Sequence, residues 1–222
     1  MKTLIITQAR FGSTRLPGKV LKTIDGVTLL EIHLHRLKWS HLSDAIMVAT
    51  TDEPESVEIV SIATKMGCLS YRGSLHHVLE RFYRAAERYQ PETVIRVTSD
   101  CPLNDGAMID EMLQKFEKSD FDYYSNVHPA TYPDGLDVEI FRFSALKRAF
   151  DEASKPRETE HVTPYIWEHP EIFKLGNHAQ GIDQSKIRLT VDREEDFQVI
   201  SKLVKQIGYD RPWRDYLALI QE

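Results

Sequence analysis

Residues 10–22 place Arg10, Arg15, Lys19 and Lys22 among Gly12, Ser13, Thr14 and Gly18, and no acid follows until Asp25. Glycines let a backbone come close to a ligand and turn its N–H groups toward it. Guanidinium and ammonium groups add charge-assisted bonds to phosphate oxygens. The pattern suits a polyphosphate. It is not a P-loop, which needs four residues between its first Gly and the Gly-Lys pair and then Ser or Thr. Here Gly12 and Gly18-Lys19 are separated by five, Pro17 removes an N–H from the cradle, and Val20 follows the lysine. A G-x-G-x-x-G pattern is absent from the chain as well.

Acids that could work with such a loop lie far from it in sequence. Asp100 ends an apolar run and precedes Cys101-Pro102, a place that suits either a magnesium ligand or a turn-forming aspartate. Mg²⁺ is held by one or two carboxylates together with phosphate oxygens. Asp192 stands three residues before Glu195, so it reads equally as a helix cap and as a ligand beside one. Asp120-Phe121-Asp122 is a D-x-D, the metal pattern of many glycosyltransferases, at a helix-to-strand junction. His33 and His35 are two apart on a helix and face different sides, and His76-His77 are adjacent near a helix start. Cys68 and Cys101 fit no metal or disulfide spacing, and Cys101 reads as a buried thiol.

Positioning these groups requires a series of elements that the pattern supplies in alternation. Residues 4–6, 44–51, 68–71 and 93–98 read as strands, and residues 28–38, a segment opened by Asp52 and Glu55 and running to about 66, and residues 75–89 as helices. Thr28 with Glu31 predicts a capping box, Asp52 with Glu55 repeats its spacing, and Ser74 is placed to cap the third helix. Strand and helix alternating through short links predict a largely parallel sheet covered on both faces. Ligands bind at the carboxyl ends of such strands. Arg10 to Lys19, Arg72 to Ser74 and Ser99 to Asp100 are therefore expected on one edge. After a helix to about residue 118 the rhythm changes, and residues 120–143 read as a small β-rich excursion suited to substrate specificity or subunit pairing. Helices over residues 144–153, with Ser144 as cap, and 158–167, a strand over 186–191 and a helix over 193–207 complete the prediction.

The chain has 222 residues, 28 basic and 34 acidic side chains, and a net charge of −6. One α/β domain, residues 1–222, accommodates that length. The acidic balance without a basic stripe argues against nucleic-acid binding. No stretch has the apolar length of a membrane span or a signal-peptide core, and a reducing cytoplasm fits the cysteines.

In the order ARFGSTRLPGKVL, VATTDEP, YRGS, RVTSDCPL, YPDGLDVEIF, ETEHVTPYIWEHPE and LTVDREEDF, the sequence resembles the cytidylyltransferases of the spore coat polysaccharide biosynthesis protein F family. These are related to the acylneuraminate and 3-deoxy-manno-octulosonate cytidylyltransferases, and the loop form R-F-G-S-T-R-L-P-G-K is that of the octulosonate branch. The resemblance implies a nucleotidyltransferase-type, Rossmann-like α/β domain that transfers CMP from CTP to a sugar acid or related sugar in surface polysaccharide synthesis and releases pyrophosphate. It implies that Arg10, Arg15 and Lys19, with Ala9, Gly12 and Ser13, grip the triphosphate, and that Arg72, Gly73, Ser74 and Ser99 lie near the nucleotide. It further implies Mg²⁺ on Asp100 and Asp192, acceptor contacts from Asp137, Glu160 and His161, and a homodimer. The competing expectations are a glycosyltransferase working through Asp120 and Asp122, and a nucleotide-binding partner without catalysis.

Overall fold

The structure is a computed structural model that describes residues 1–221. In its first half the elements are β1 (Thr3–Gln8), β2 (Thr23–Ile24), β3 (Val27–Thr28), α1 (Leu29–Leu37), β4 (Ala45–Thr51), α2 (Ser56–Lys65), β5 (Leu69–Gly73), α3 (Val78–Glu87) and β6 (Thr93–Thr98). In the second half come α4 (Gly106–Glu117), β7 (Tyr123–Ser125), β8 (Glu139–Arg142), α5 (Phe143–Glu152), α6 (Pro156–His161), α7 (Pro164–Trp167), β9 (Leu175–Asn177), α8 (Glu194–Ile207) and α9 (Trp213–Gln221).

Seven strands form one sheet in the order β5-β4-β1-β6-β8-β7-β9. All neighbours pair in parallel except β8, which is antiparallel to both β6 and β7. The chain moves outward from β1 through β4 to β5 and then returns to the other side of β1 with β6. Strand order therefore reverses between β1 and β6, which opens a crevice at their carboxyl ends.

Burial follows from the two-residue period of the strands. In β1, Ile5 enters one core while Leu4 and Ile6 enter the other, and all three are fully buried. The first core packs against α1, α2, α4, α8 and α9 through residues such as Leu30, Ile59, Phe116, Leu203 and Tyr216. The second packs against α3, α5 and α7 through Phe82, Leu146 and Ile166. A central strand apolar on both faces needs this double cover, and each fully buried aliphatic side chain contributes about 1.5–3 kcal/mol.

Several expected elements shift for identifiable reasons. The Thr28–Glu31 capping box is present, with Thr28 Oγ1 accepting from the Glu31 N–H at 3.1 Å. Asp52 caps nothing, since α2 starts after Glu55 and the Thr51 and Ser56 hydroxyls are hydrogen-bonded to each other at 2.7 Å. Ser74 accepts from the His77 N–H at 3.1 Å in the turn before α3, so the helix begins later than expected. Ser144 lies inside α5, and the segment expected as one helix over 158–167 is two, α6 and α7. They are broken at Val162, whose φ of 69° and ψ of −55° form a tight three-residue turn with the Thr163 N–H bonded to the His161 carbonyl at 2.8 Å.

Within residues 120–143, β7 and β8 are strands of the main sheet. Residues 186–191 are not a strand of that sheet. Leu189 and Val191 are fully buried, as the alternation implies, but the backbone bonds to two loops, through one isolated parallel bridge at Asp134 and a single bond to Asp100, instead of forming a ladder. Leu189 N–H donates to Asp134 at 2.6 Å, and Val191 N–H to the Asp100 carbonyl at 2.7 Å. The Asp25-Gly26 turn of the β2–β3 hairpin, with φ values of 49° and 83°, is the two-residue turn that Asp-Gly favours.

Candidate active site

At the crevice between β1 and β6 lies a cavity of about 820 Å³. The end of β1 feeds it Gln8, Ala9 and Arg10, and the following loop adds Ser13, Thr14, Arg15 and Lys19. The loop is closed on itself, as the Ser13 and Gly18 N–H groups both donate to the Phe11 carbonyl, at 2.8 and 2.9 Å. Gly18 has a φ of 66°, and a Cβ there would stand 3.2 Å from the Phe11 ring. This left-handed residue turns the chain into a 3-10 turn over Lys19–Leu21 and lowers Lys19 into the cavity floor.

Lys19 is buried, and its ammonium donates to Asp100 Oδ2 at 2.8 Å and to Asp192 Oδ1 at 2.9 Å. Arg15 reaches the other oxygen of Asp192 at 3.0 Å while its side chain stays 58% exposed, with Arg10 also exposed beside it. Burial by itself lowers the Lys19 pKa, but the Asp100 and Asp192 carboxylates more than reverse this and hold it above the usual lysine value. Burial pushes Asp100 up, and Lys19 pulls it down further, so its carboxyl is held below the ordinary aspartate value. Ser99 fixes the end of β6 onto β1 through its hydroxyl, which donates to the Gln8 carbonyl at 2.6 Å. The cap of α8 is supplied by Asp196, which accepts from the Asp192 and Arg193 N–H groups at 2.9 and 3.0 Å. Asp192 is thereby freed from capping and faces the cavity.

Of the residues singled out in the sequence, Ala9, Arg10, Ser13, Arg15, Lys19, Ser99, Asp100, Glu160, His161 and Asp192 line this cavity. Gly12 is in the loop but not in the wall. Arg72, Gly73 and Ser74 are not in the wall either. The Arg72 guanidinium turns back to donate to the Asp52 and Glu53 carbonyls at 2.8 and 3.1 Å, which ties the end of β5 to β4. The cavity wall is taken up just after them, by Leu75, His76 and His77 and by Arg81 of α3. Arg81 is 4% exposed, bonds the Ser74 carbonyl and leaves its Nε unpaired, and burial together with Arg10 lowers its pKa to about 10. It remains a cation at neutral pH.

Asp137 belongs to a second cavity of about 400 Å³, which shares Arg96, Thr98 and His161 with the first. Arg96 is a charge in the middle of the apolar run of β6, a signal legible in the sequence. Its guanidinium pairs with Glu139 and donates to Gln8 Oε1 at 3.0 Å. Glu139 also accepts from the Tyr123 and Thr163 hydroxyls, each at 2.6 Å. Burial raises the Glu139 pKa, and Arg96 with these donors brings it below the usual glutamate value.

Asp120 and Asp122 lie at the opposite edge. They precede β7, which runs parallel to β6, so they stand at the amino end of the sheet. Asp120 pairs with Lys174 at 2.6 Å, and Asp122 accepts the Lys174 N–H at 2.9 Å. This D-x-D is a surface clasp between β7 and β9. Cys101 is buried with its thiol pKa raised well above normal by burial, as a structural thiol should be. Among the described residues, no three His, Cys, Asp or Glu side chains gather into a metal site, and no helix is long and apolar enough to cross a membrane.

A cationic, glycine-bearing loop and two acids converge at the switch point of a mostly parallel sheet, the architecture of nucleotidyltransferase-type enzymes. The chain belongs to the cytidylyltransferase family, whose model matches residues 4–212. The spore coat polysaccharide biosynthesis protein SpsF of Bacillus subtilis is 33% identical over 221 residues, covering 94% of this chain and 88% of that protein. A solved cytidylyltransferase from Leptospira borgpetersenii is 34% identical and superposes with a TM-score of 0.95, covering 100% of this chain and 94% of that one. A CMP:2-keto-3-deoxy-manno-octonic acid synthetase solved with CTP shares the fold at a TM-score of 0.71 and 17% identity, covering 93% of this chain and 99% of that one.

Proposed function

We infer that the enzyme transfers CMP from CTP to the hydroxyl of a sugar acid or related sugar destined for a surface polysaccharide, releasing pyrophosphate. The observation that carries this reading is Lys19, set between Asp100 and Asp192 at the mouth of the cationic loop. The family description supports a cytidylyl donor, and the role named for the Bacillus subtilis relative supports the polysaccharide setting.

Phosphoryl chemistry of this kind depends on positioning and charge neutralisation, with little covalent work for side chains. Arg10 and Arg15 are exposed at the cavity mouth, where they can pair with the outer phosphates of an entering triphosphate. Lys19, on the floor, can bridge toward the inner phosphates and stabilise the charge that builds on departing pyrophosphate. Two carboxylates that already share one cation, with an oxygen-only donor set, fit Mg²⁺, and Asp100 and Asp192 would hold it. Such an ion supplies Lewis-acid polarisation of phosphoryl oxygens.

The test is pyrophosphate release from CTP and Mg²⁺ against a panel of sugar acids and sugar phosphates that includes 3-deoxy-manno-octulosonate. We expect turnover with at least one acceptor, and a loss of about 100-fold or more for Asp100→Asn. Near-normal turnover of that variant removes Asp100 from the site. CTP binding without pyrophosphate release against the whole panel removes the catalytic reading.

A further inference from the structure

Transfer to a hydroxyl requires a proton acceptor, and none of the groups that grip the triphosphate can serve. Arg10, Arg15 and Lys19 are cations, and Asp100 and Asp192 pair with Lys19 in the free protein and would hold the metal ion in the complex. Resting on the cytidylyl-transfer reading, we propose that Asp137 is its general base, taking the proton of the acceptor hydroxyl on its carboxylate.

Topology sets Asp137 in place. β8 pairs antiparallel with β6, with Glu139 opposite Arg96, so continuing that register two residues back sets Asp137 opposite Thr98. Both line the second cavity, whose wall of Arg96, Thr98 and His161 is common to the nucleotide cavity. Asp137 lines the second cavity only, beside these shared residues, where it would face a substrate that enters there and reacts in the first.

The segment is held on both sides by buried asparagines. The Asn104 amide donates to the Asp137 carbonyl at 3.1 Å, and Asn126 donates to the Leu136 carbonyl at 2.7 Å while accepting the Val138 N–H at 2.8 Å. Gly135, with a φ of 110°, lies against the Leu189–Thr190 backbone so closely that a Cβ would stand 2.4 Å from Leu189. That backbone continues to Asp192, so the three acids are fixed relative to one another by main chain. Asp137 itself is only half-buried, and among the described residues no donor holds its carboxylate. A rigidly mounted, unpaired carboxylate in a cavity that adjoins the nucleotide cavity is an arrangement that general-base catalysis uses.

The charged and titratable groups around it are Asp134 and Glu139 on its own segment, Arg96 on β6 and Asp100 beyond it. His128, Arg157 and His161 complete the cavity wall. Burial first, then the Asp134 and Glu139 charges, push its pKa up to about 7, where an acid-base group works best at neutral pH. In the step, the acceptor oxygen bonds to the α-phosphorus as the bond from that phosphorus to the bridging oxygen breaks. The electron pair leaves with pyrophosphate, and the hydroxyl proton passes to Asp137.

The test follows pyrophosphate release from CTP and Mg²⁺ across roughly pH 5.5 to 8.5, with 3-deoxy-manno-octulosonate and N-acetylneuraminate as acceptor probes. For the wild type, kcat/KM should rise with pH through about 7, the value to which burial and its acidic neighbours push Asp137 in the free enzyme. Asp137→Asn should lower kcat by about 100-fold or more, abolish that rise and leave the KM for CTP within about twofold, and Asp137→Glu should restore part of both. A kcat for Asp137→Asn within about fivefold of wild type, or a persistent acidic limb, overturns the assignment. Wild-type turnover with an unaffected variant removes Asp137 alone, whereas a wild type silent toward both probes and the wider panel removes the parent reading and this role with it.

Discussion

His33 carries a pH dependence that belongs to the single residue. It is fully buried, hydrogen-bonded through Nε2 to the Thr7 hydroxyl at 2.9 Å and through Nδ1 to the Cys101 carbonyl at 2.9 Å. Burial lowers its pKa from 6.5 to about 4. The unfolded chain takes up this proton as pH falls below 6.5 and the folded one does not, so the contribution is full above 6.5 and lost as pH falls toward 4. By pH 5 this group should remove about 2 kcal/mol. Urea melts at pH 7 and pH 5 measure it, and His33→Gln should show a shallower fall than wild type. At the same scale, Arg10, Arg15 and Lys19 were legible because a run of cations directly after a buried strand has few structural uses. Arg72 was not, because its carbonyl partners on Thr51, Asp52 and Glu53 come from a neighbouring strand that the local sequence does not reveal.

Among the elements, α1 is the one that gathers the loops behind the site, and it does so through Arg36. This fully buried guanidinium donates to the Leu103, Asn104, Tyr209 and Arg211 carbonyls at 2.7–3.1 Å and stacks over Trp39 and Tyr216. It thereby ties α1 to the loop before α4 and the loop before α9. Arg36→Met leaves those carbonyls without their donor and should cost about 3–5 kcal/mol in denaturant unfolding. Arg36→Lys, which keeps the charge without the planar fork, should recover only a minor part. Helices and long strands were legible at this scale because their apolar periods are decided locally. The starts of α2, α3 and α5 were not, since Asp52 lies too far ahead of α2, Ser74 bonds within the turn before α3, and Ser144 lies inside α5. Residues 186–191 have a strand's alternation, and only tertiary pairing decides that Leu189 and Val191 bond to loops. β9, three residues with a central glycine, carries too little pattern to be read.

For the molecule as a whole, the alternation of elements implied a parallel sheet, and the rule that ligands gather at strand carboxyl ends brought Asp100 to the cationic loop. Strand order was beyond the sequence, and with it the place of β8, whose reversed direction delivers Asp137 to the same edge as β6. The bridge from Lys19 to both acids has a consequence for the order in which ligands act. The ammonium is an internal competitor for the carboxylates, and the phosphates of a nucleotide offer it another partner. Nucleotide and divalent cation should therefore bind cooperatively, with a coupling of roughly 1–3 kcal/mol. Titration with Mn²⁺ followed by electron paramagnetic resonance should show tighter binding when CTP is present. Lys19→Met should bind Mn²⁺ alone more tightly than wild type does and lose most of the coupling, while equal affinities in the two proteins would contradict it. On that expectation the Lys19 ammonium would occupy the two carboxylates of the free protein until a nucleotide draws it away.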